Sequence, residues 1–190
     1  MTTSRSDRPR RRAWRWWLGG ATLLIAILAG ARLLMLRSFD NAPLPPRLEV
    51  IARSPVTLPD GRRAVIGDGL KPGVPTIVAL WASWCGPCQQ EAPHLAELRR
   101  RYGKEGLNLV YLNVRDPGAS RSDLTSYMRE HGLPPAGYAV LADDRIAALT
   151  NVPDRLIPRM LVYDRTGEPL GTVTGYNPFA MSRIAGLIAP

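Results

Sequence analysis

The feature that most constrains the fold is the segment Trp84-Cys85-Gly86-Pro87-Cys88, which holds the only two cysteines of the 190-residue chain. The run Thr76–Trp81 before it is apolar and suits a buried central strand. After the segment, apolar residues recur at helical spacing as far as Gly103. The pattern therefore predicts a strand, a turn that carries both cysteines, and a helix.

The two cysteines are separated by two residues, so both thiols fall in the first turn of the predicted helix. On a helix, β-carbons at this spacing lie about 5–6 Å apart, and a disulfide needs about 3.5–4.5 Å. A modest tightening of the turn therefore lets the pair cycle between dithiol and disulfide. Pro87 suits an early helical position, and Gly86 leaves the approach to the sulfurs open.

Chemical roles follow from the position of the thiols along the helix. The helix N-terminus favours a thiolate, because unpaired N–H groups and the positive end of the dipole face it. We expect Cys85 to be the exposed nucleophile and Cys88 the resolving thiol. The alternatives are a structural disulfide or a metal clip, but zinc needs two further ligands and only His94 and His131 remain. We therefore predict a redox-active disulfide with no metal and no separate cofactor.

The run WASWCGPCQQEAP, which begins at Trp81, resembles the thioredoxin superfamily. More specifically, it is similar to the membrane-tethered TlpA/ResA-type thiol-disulfide oxidoreductases of bacterial envelopes. The resemblance extends from about Pro55 to the C-terminus. It implies an α/β thioredoxin-like fold with a central mixed sheet, helices on both faces, an N-terminal β-hairpin extension and a central insertion.

The resemblance also implies a substrate-binding surface. Ile157-Pro158 precedes a predicted strand, where the family has a cis proline beside the redox pair and binds an extended substrate along the adjacent backbone. An ordinary trans proline at the start of a strand is the alternative. Arg159 stands where thioredoxins usually have Thr, and a guanidinium there would favour a Cys85 thiolate. The candidate substrate-binding residues are Trp84, Gly86, Pro87, Ile157, Pro158 and Arg159.

Glu91 occupies the position at which ResA-type proteins carry an active-site glutamate. It would accept the proton of the resolving thiol, provided that burial raises its pKa toward neutrality. The alternative is a solvated acid in the first turn of the helix. Ala79 replaces the buried acid of thioredoxin, which increases the need for another proton acceptor.

The N-terminal segment carries most of the positive charge. Residues 1–37 contain eight arginines and one acid, so the basic pI does not indicate a nucleic-acid surface on the body. As a helix, the apolar run Leu18–Leu36 would extend about 28 Å, close to the hydrocarbon thickness of about 30 Å. The preceding arginines predict a cytoplasmic start and a periplasmic body. Cleavage at Ala29-Gly30-Ala31, as in a signal peptide, is the alternative.

These patterns divide the chain into a basic leader (1–17), a transmembrane signal-anchor (18–36), a proline-containing linker (37–54) and a thioredoxin-like domain (55–190). We expect an inner-membrane protein whose periplasmic domain, a monomer, reduces disulfides of envelope proteins such as apocytochrome c. A membrane electron donor would restore its dithiol. The alternative is a module that delivers Cu(I) for oxidase assembly, with Met160 as a further soft ligand. A peroxidase is disfavoured, because Ala82 stands where the Thr of the peroxiredoxin pattern is required.

Overall fold

The computed structural model describes residues 18–32, 44–58, 60–114, 116, 121–133, 139–142 and 156–189. The chain divides into two units, residues 1–41 and residues 42–190. In the first unit, residues 18–32 form helix α1, whose apolar side chains are exposed. None of the helices in the described ranges combines the length and apolar character needed to cross a membrane. The predicted leader and residues 33–36 of the predicted anchor lie outside the described residues.

The described strands of the second unit form one mixed sheet of seven strands, in the order β2-β1-β5-β4-β3-β6-β7. The sequence of strand β3 is apolar, which suits a central strand, and all six of its residues are buried. It pairs in parallel with β4 and antiparallel with β6. The strands are β1 Pro55–Thr57, β2 Arg63–Val65, β3 Thr76–Trp81, β4 Asn108–Asn113, β5 Ala139–Ala142, β6 Arg159–Tyr163 and β7 Pro169–Thr174.

Four α-helices and one short 3-10 helix accompany this sheet within the described ranges. The long helix that follows the cysteine turn continues through Pro93, and Gly103, at φ +69°, interrupts its helical geometry near the C-terminal end. The helices are α2 Leu48–Ala52, the 3-10 helix Ile66–Gly69, α3 Gly86–Gly106, α4 Arg121–Glu130 and α5 Pro178–Leu187.

Helices cover both faces of the sheet, as the resemblance implies. Val78 and Leu80 of β3 belong to a buried cluster that includes Ile51 of α2. Side chains alternate along a strand, so Trp81 points to the opposite face. There its ring stacks on Tyr127 of α4, with 4.3 Å between ring centroids. The predicted mixed sheet with helices on both faces is confirmed.

The N-terminal hairpin is also confirmed, since β1 and β2 pair antiparallel. The predicted central insertion is described in part, by α4 and by β5, which joins β4 in parallel. Its remaining residues lie outside the described ranges.

The structure differs from the predicted linker at the linker's C-terminal end. Helix α2 lies within the linker range, Ile51 is fully buried, and the Leu48 N–H donates to the Gly167 carbonyl at 3.0 Å. A five-residue helix with a single buried side chain is too short to show a periodic pattern, so no periodicity in the sequence predicts it. The folded unit therefore begins upstream of residue 55.

Candidate active site

The two cysteines form a disulfide at the N-terminus of α3, with 5.2 Å between their α-carbons. Cys85 is the residue that caps the helix, and its sulfur accepts a hydrogen bond from the Cys88 N–H at 3.2 Å. Pro87 lies in the first turn, where its missing N–H leaves no helical hydrogen bond unmade. The predicted strand, cysteine turn and helix are thus confirmed.

The disulfide is more enclosed than the sequence predicts. Cys85 is only 3% exposed, so the expectation of an exposed nucleophile is wrong for this oxidised form. Its sulfur is turned back onto the first turn of α3, toward the Cys88 N–H. Trp84, by contrast, is 58% exposed, and Gly86 and Pro87 are exposed beside it. A partner that approaches the disulfide from solvent would contact these three residues.

Asp116 holds the turn that leads into the disulfide. Its carboxylate accepts hydrogen bonds from the Ser83 N–H at 2.6 Å and from the Ser83 hydroxyl at 3.0 Å. It also accepts one from the side-chain amide of Asn113 at 2.6 Å. The Cys85 N–H donates to the Ala82 carbonyl at 3.1 Å, which completes the turn. No sequence pattern marks Asp116, which is 31 residues beyond Cys85 along the chain.

The bond between Ile157 and Pro158 is cis, which confirms what the resemblance implies. Pro158 is buried, and its carbonyl accepts a hydrogen bond from the Gly175 N–H at 2.8 Å. Strand β6 begins at the next residue and pairs with Leu80 near the end of β3. The prolyl segment therefore lies at the same end of the sheet as the cysteine turn.

Arg159 is 3% exposed, so its side chain presents little surface to a substrate. Its Nε donates to the Thr174 hydroxyl at 3.3 Å. Because Arg159 is directly opposite Leu80, the two side chains share the face of the sheet that contains Ile51. Trp81 follows Leu80 in β3, so it points to the face of the sheet opposite to that of Arg159. A role for Arg159 in substrate binding stays a prediction.

Glu91 lies one helical turn beyond Cys88, a spacing that places both side chains on the same side of α3. The residue is fully buried, and burial raises the pKa of its carboxyl to about 8. No residue in the described ranges hydrogen-bonds to either carboxyl oxygen. The predicted condition for proton transfer is met, and the alternative of a solvated helix acid is wrong.

Burial, and in addition the charge of Glu91, raises the pKa of two tyrosine hydroxyls, those of Tyr111 and Tyr127. Trp81 stacks on Tyr111 at 5.0 Å between centroids and on Tyr127 at 4.3 Å, and Tyr127 stacks in turn on His131 at 4.2 Å. Burial raises the pKa of Tyr127 to about 12, and the charge of Glu91 acts in the same direction. The low polarity of this environment explains why Glu91 retains its proton at neutral pH.

Comparison with known proteins places the chain in a family. The sequence profile of the AhpC/TSA family matches residues 57–168, which contain the cysteine turn, Glu91 and the prolyl segment. The chain belongs to the AhpC/TSA family.

Relatives of this AhpC/TSA chain support the predicted resemblance. The thiol-disulfide oxidoreductase ResA of Bacillus subtilis (strain 168) is 25% identical over 116 residues, which are 61% of this chain and 60% of the relative. A thioredoxin of Streptomyces clavuligerus is 43% identical over 113 residues, or 60% of this chain and 77% of the relative. Against the ResA proteins of Geobacillus kaustophilus and B. subtilis, the chain spans 56% and 60% of their length.

Solved structures support the same fold. A thiol:disulfide interchange protein of Chlorobium tepidum, described as a thioredoxin family protein, superimposes with a TM-score of 0.56 at 21% identity. The match covers 72% of this chain and 95% of that one. The thioredoxin-like fold predicted from the sequence is confirmed.

The copper-binding alternative for this AhpC/TSA chain depends on which metal ligands lie close together. Over the described ranges, no group of three or more His, Cys, Asp or Glu side chains could hold a metal ion. Met160, the soft ligand considered for copper, is fully buried in β6 opposite Ala79. Its sulfur is therefore not accessible from solvent.

Proposed function

We propose that this AhpC/TSA protein is a thiol-disulfide oxidoreductase that reduces disulfides in other proteins. The observation that carries the proposal is the Cys85–Cys88 disulfide at the start of α3 with a buried, protonated carboxyl one turn beyond it. A disulfide that only stabilised the fold would need no buried acid beside it. The relatives named thiol-disulfide oxidoreductase ResA support this assignment.

In the reduced enzyme, the Cys85 thiolate attacks one sulfur of a substrate disulfide, and the other substrate sulfur leaves as a thiolate. A mixed disulfide then joins Cys85 to the substrate. Glu91 in its ionised form accepts the proton of the Cys88 thiol, and the resulting thiolate attacks the Cys85 sulfur. The substrate's second sulfur leaves as a thiolate, and two electrons have passed from the enzyme to the substrate.

The raised pKa suits Glu91 to this step. With a pKa of about 8, the carboxylate is a stronger base than an ordinary glutamate and can take a proton from a thiol. About one molecule in ten carries the carboxylate at pH 7, so the resolving step should accelerate as the pH rises toward 8. Glu91 is therefore proposed as a catalytic residue.

The direction of electron flow is proposed from the Gly86-Pro87 dipeptide between the cysteines. Thioredoxin, which shares it, has a reduction potential of about −270 mV, whereas strongly oxidising relatives of the fold lie near −120 mV. We expect a reducing value for this protein, measured by equilibration with a redox buffer of known potential. A potential above about −150 mV would overturn the assignment as a reductant.

A location in the bacterial envelope is proposed from the N-terminal sequence. The apolar run Leu18–Leu36 would anchor the chain in the inner membrane, and the arginines before it would keep the start cytoplasmic. The catalytic domain would then act on disulfides of periplasmic proteins, apocytochrome c among them, and receive electrons from a membrane donor. Membrane fractionation together with a phosphatase fused after Pro190 tests this: a soluble protein or an inactive phosphatase contradicts it.

The activity is tested by insulin reduction with dithiothreitol as the electron source. Two matched variants make the same chemical change three residues apart. Cys85→Ser should abolish turnover and capture no substrate, because the nucleophile is lost. Cys88→Ser should retain the nucleophile and accumulate a mixed disulfide in cells, because the resolving thiol is lost.

Two results would contradict the proposed function. One is wild-type protein that accelerates insulin reduction no more than Cys85→Ser does. The other is stoichiometric Cu(I) binding by the reduced protein with little turnover, which would favour the copper module.

A further inference from the structure

Asp116 lies where strands β3 and β4 end, close to the cysteine turn. The two strands run in parallel, and Trp81 at the end of β3 is opposite Asn113 at the end of β4. Asp116 follows three residues after Asn113 and bonds back to its side-chain amide at 2.6 Å. Its carboxylate therefore has one donor from its own segment and two from Ser83, on the segment that follows β3.

The hydrogen bonds at Ser83 can restrain the disulfide, because only a short stretch of backbone separates Ser83 from Cys85. Ser83 is two residues before Cys85, and its carbonyl also accepts a hydrogen bond from the Gln89 side chain of α3 at 3.3 Å. Trp84, the exposed aromatic residue beside the disulfide, lies between the two positions. A turn held at Ser83 has little freedom left at Trp84 and at the cap of α3.

We propose that Asp116 is a positioning residue for the nucleophile: it holds the turn at Ser83 so that Cys85 and Trp84 keep their reactive placement when the disulfide opens. The proposal deepens the proposed thiol-disulfide exchange and rests on it. In the dithiol form the covalent link between Cys85 and Cys88 is gone. The three hydrogen bonds to Asp116 then remain to hold the turn.

The substitution Asp116→Asn separates the placement of the turn from the charge of the carboxylate. Both 2.6 Å bonds, from the Ser83 N–H and the Asn113 amide, reach the same oxygen of Asp116, Oδ2. The amide oxygen of an asparagine can accept both. Its NH2 group can donate to the Ser83 hydroxyl, which then acts as the acceptor. Asp116→Asn therefore retains the three contacts without the charge, whereas Asp116→Ala loses all of them.

The chain offers a matched control at the other end of the same two strands. Asn108 is 1% exposed and bonds to the Lys71 N–H, to the Lys71 carbonyl and to the Thr76 hydroxyl. Five residues of strand, about 17 Å, separate Asn108 from Asn113. Asn108→Ala thus removes a polar network of similar size that does not contact the cysteine turn.

The test uses the full chain and two readouts, kcat/KM for insulin reduction and the rate at which iodoacetamide alkylates reduced Cys85 at pH 7. Asp116→Ala removes all three hydrogen bonds that hold the turn, so we expect it to lower both by about tenfold or more. Asp116→Asn and Asn108→Ala should stay within about threefold of wild type. Unfolding in urea, measured for each variant, confirms that the assays contain folded protein.

If Asp116→Ala does not fold, Ser83→Ala takes its place. It removes the 3.0 Å hydroxyl bond to the carboxylate and leaves both 2.6 Å bonds, so it should lower both readouts by more than about threefold. Three results would overturn the proposal: Asp116→Ala within threefold of wild type, Asn108→Ala as impaired as Asp116→Ala, or Asp116→Asn as impaired as Asp116→Ala. A Ser83→Ala variant within about threefold of wild type overturns it as well.

The alkylation rate keeps this proposal separate from the proposed function. A wild-type protein that cannot reduce insulin fails as a disulfide reductase. The alkylation rates of Cys85 in wild type and Asp116→Ala still report whether Asp116 positions the nucleophile.

Discussion

Replacement of Glu91 by Gln should remove a large pH dependence of stability. The carboxyl is fully buried and its pKa is raised from 4.5 to about 8 by burial. Between these two values the unfolded chain releases the proton while the native state keeps it. The native state therefore binds more protons, and the free energy of unfolding falls as the pH rises through this window. The stability associated with this group is fully present below pH 4.5 and is lost by pH 8.

The loss of stability with rising pH follows from the shift in the pKa of Glu91. Each unit of pKa difference corresponds to about 1.36 kcal/mol, so the loss reaches about 3 kcal/mol at pH 7 and about 5 kcal/mol above pH 8. Glutamine has a similar shape and does not titrate. The stability of Glu91→Gln minus that of wild type should therefore increase by about 3 kcal/mol from pH 4 to pH 7.

The assay is urea unfolding of the oxidised protein, followed by tryptophan fluorescence at pH 4, 5, 6, 7 and 8. Glu97→Gln serves as the control, because Glu97 is on the same helix but exposed, and its pKa is lowered mainly by a hydrogen bond from Arg100. Its stabilising effect is lost only at acid pH, so its difference from wild type should be flat from pH 5 to pH 8. A flat difference for Glu91→Gln over the same range would refute the reasoning.

Three further changes test other parts of the structure. Ile51→Ala should cost about 2–5 kcal/mol in urea unfolding, because Ile51 is fully buried; a cost below about 1 kcal/mol would mean that α2 is not part of the core. Tyr176→Phe removes the 2.7 Å contact with His94 between α3 and the segment before α5, and should cost about 0.5–1.5 kcal/mol with the same assay. Trp84→Ala should lower kcat/KM for insulin while the unfolding free energy changes by less than about 0.5 kcal/mol, since the side chain is 58% exposed; an unchanged kcat/KM would remove Trp84 from the substrate-binding surface.

Much of the fold could be predicted because its signals are local. Strand β3, which leads into the cysteine turn, has the same bounds as the predicted apolar run Thr76–Trp81. Helix α2 could not be predicted, since one buried residue in five leaves no period to detect.

The candidate site likewise combines features that the sequence determines with features that only folding decides. Two cysteines separated by two residues after an apolar strand already determine that both sulfurs lie in one helical turn and can form a disulfide. The burial of Glu91 is decided only by packing, because the same glutamate on a solvent-facing side of α3 would titrate as an ordinary acid. Asp116 likewise becomes part of the site only when β4 aligns beside β3 and its carboxylate reaches Ser83. The sequence directly determines covalent spacing and local periodicity, whereas solvent exclusion and contacts between distant segments exist only once the chain has folded.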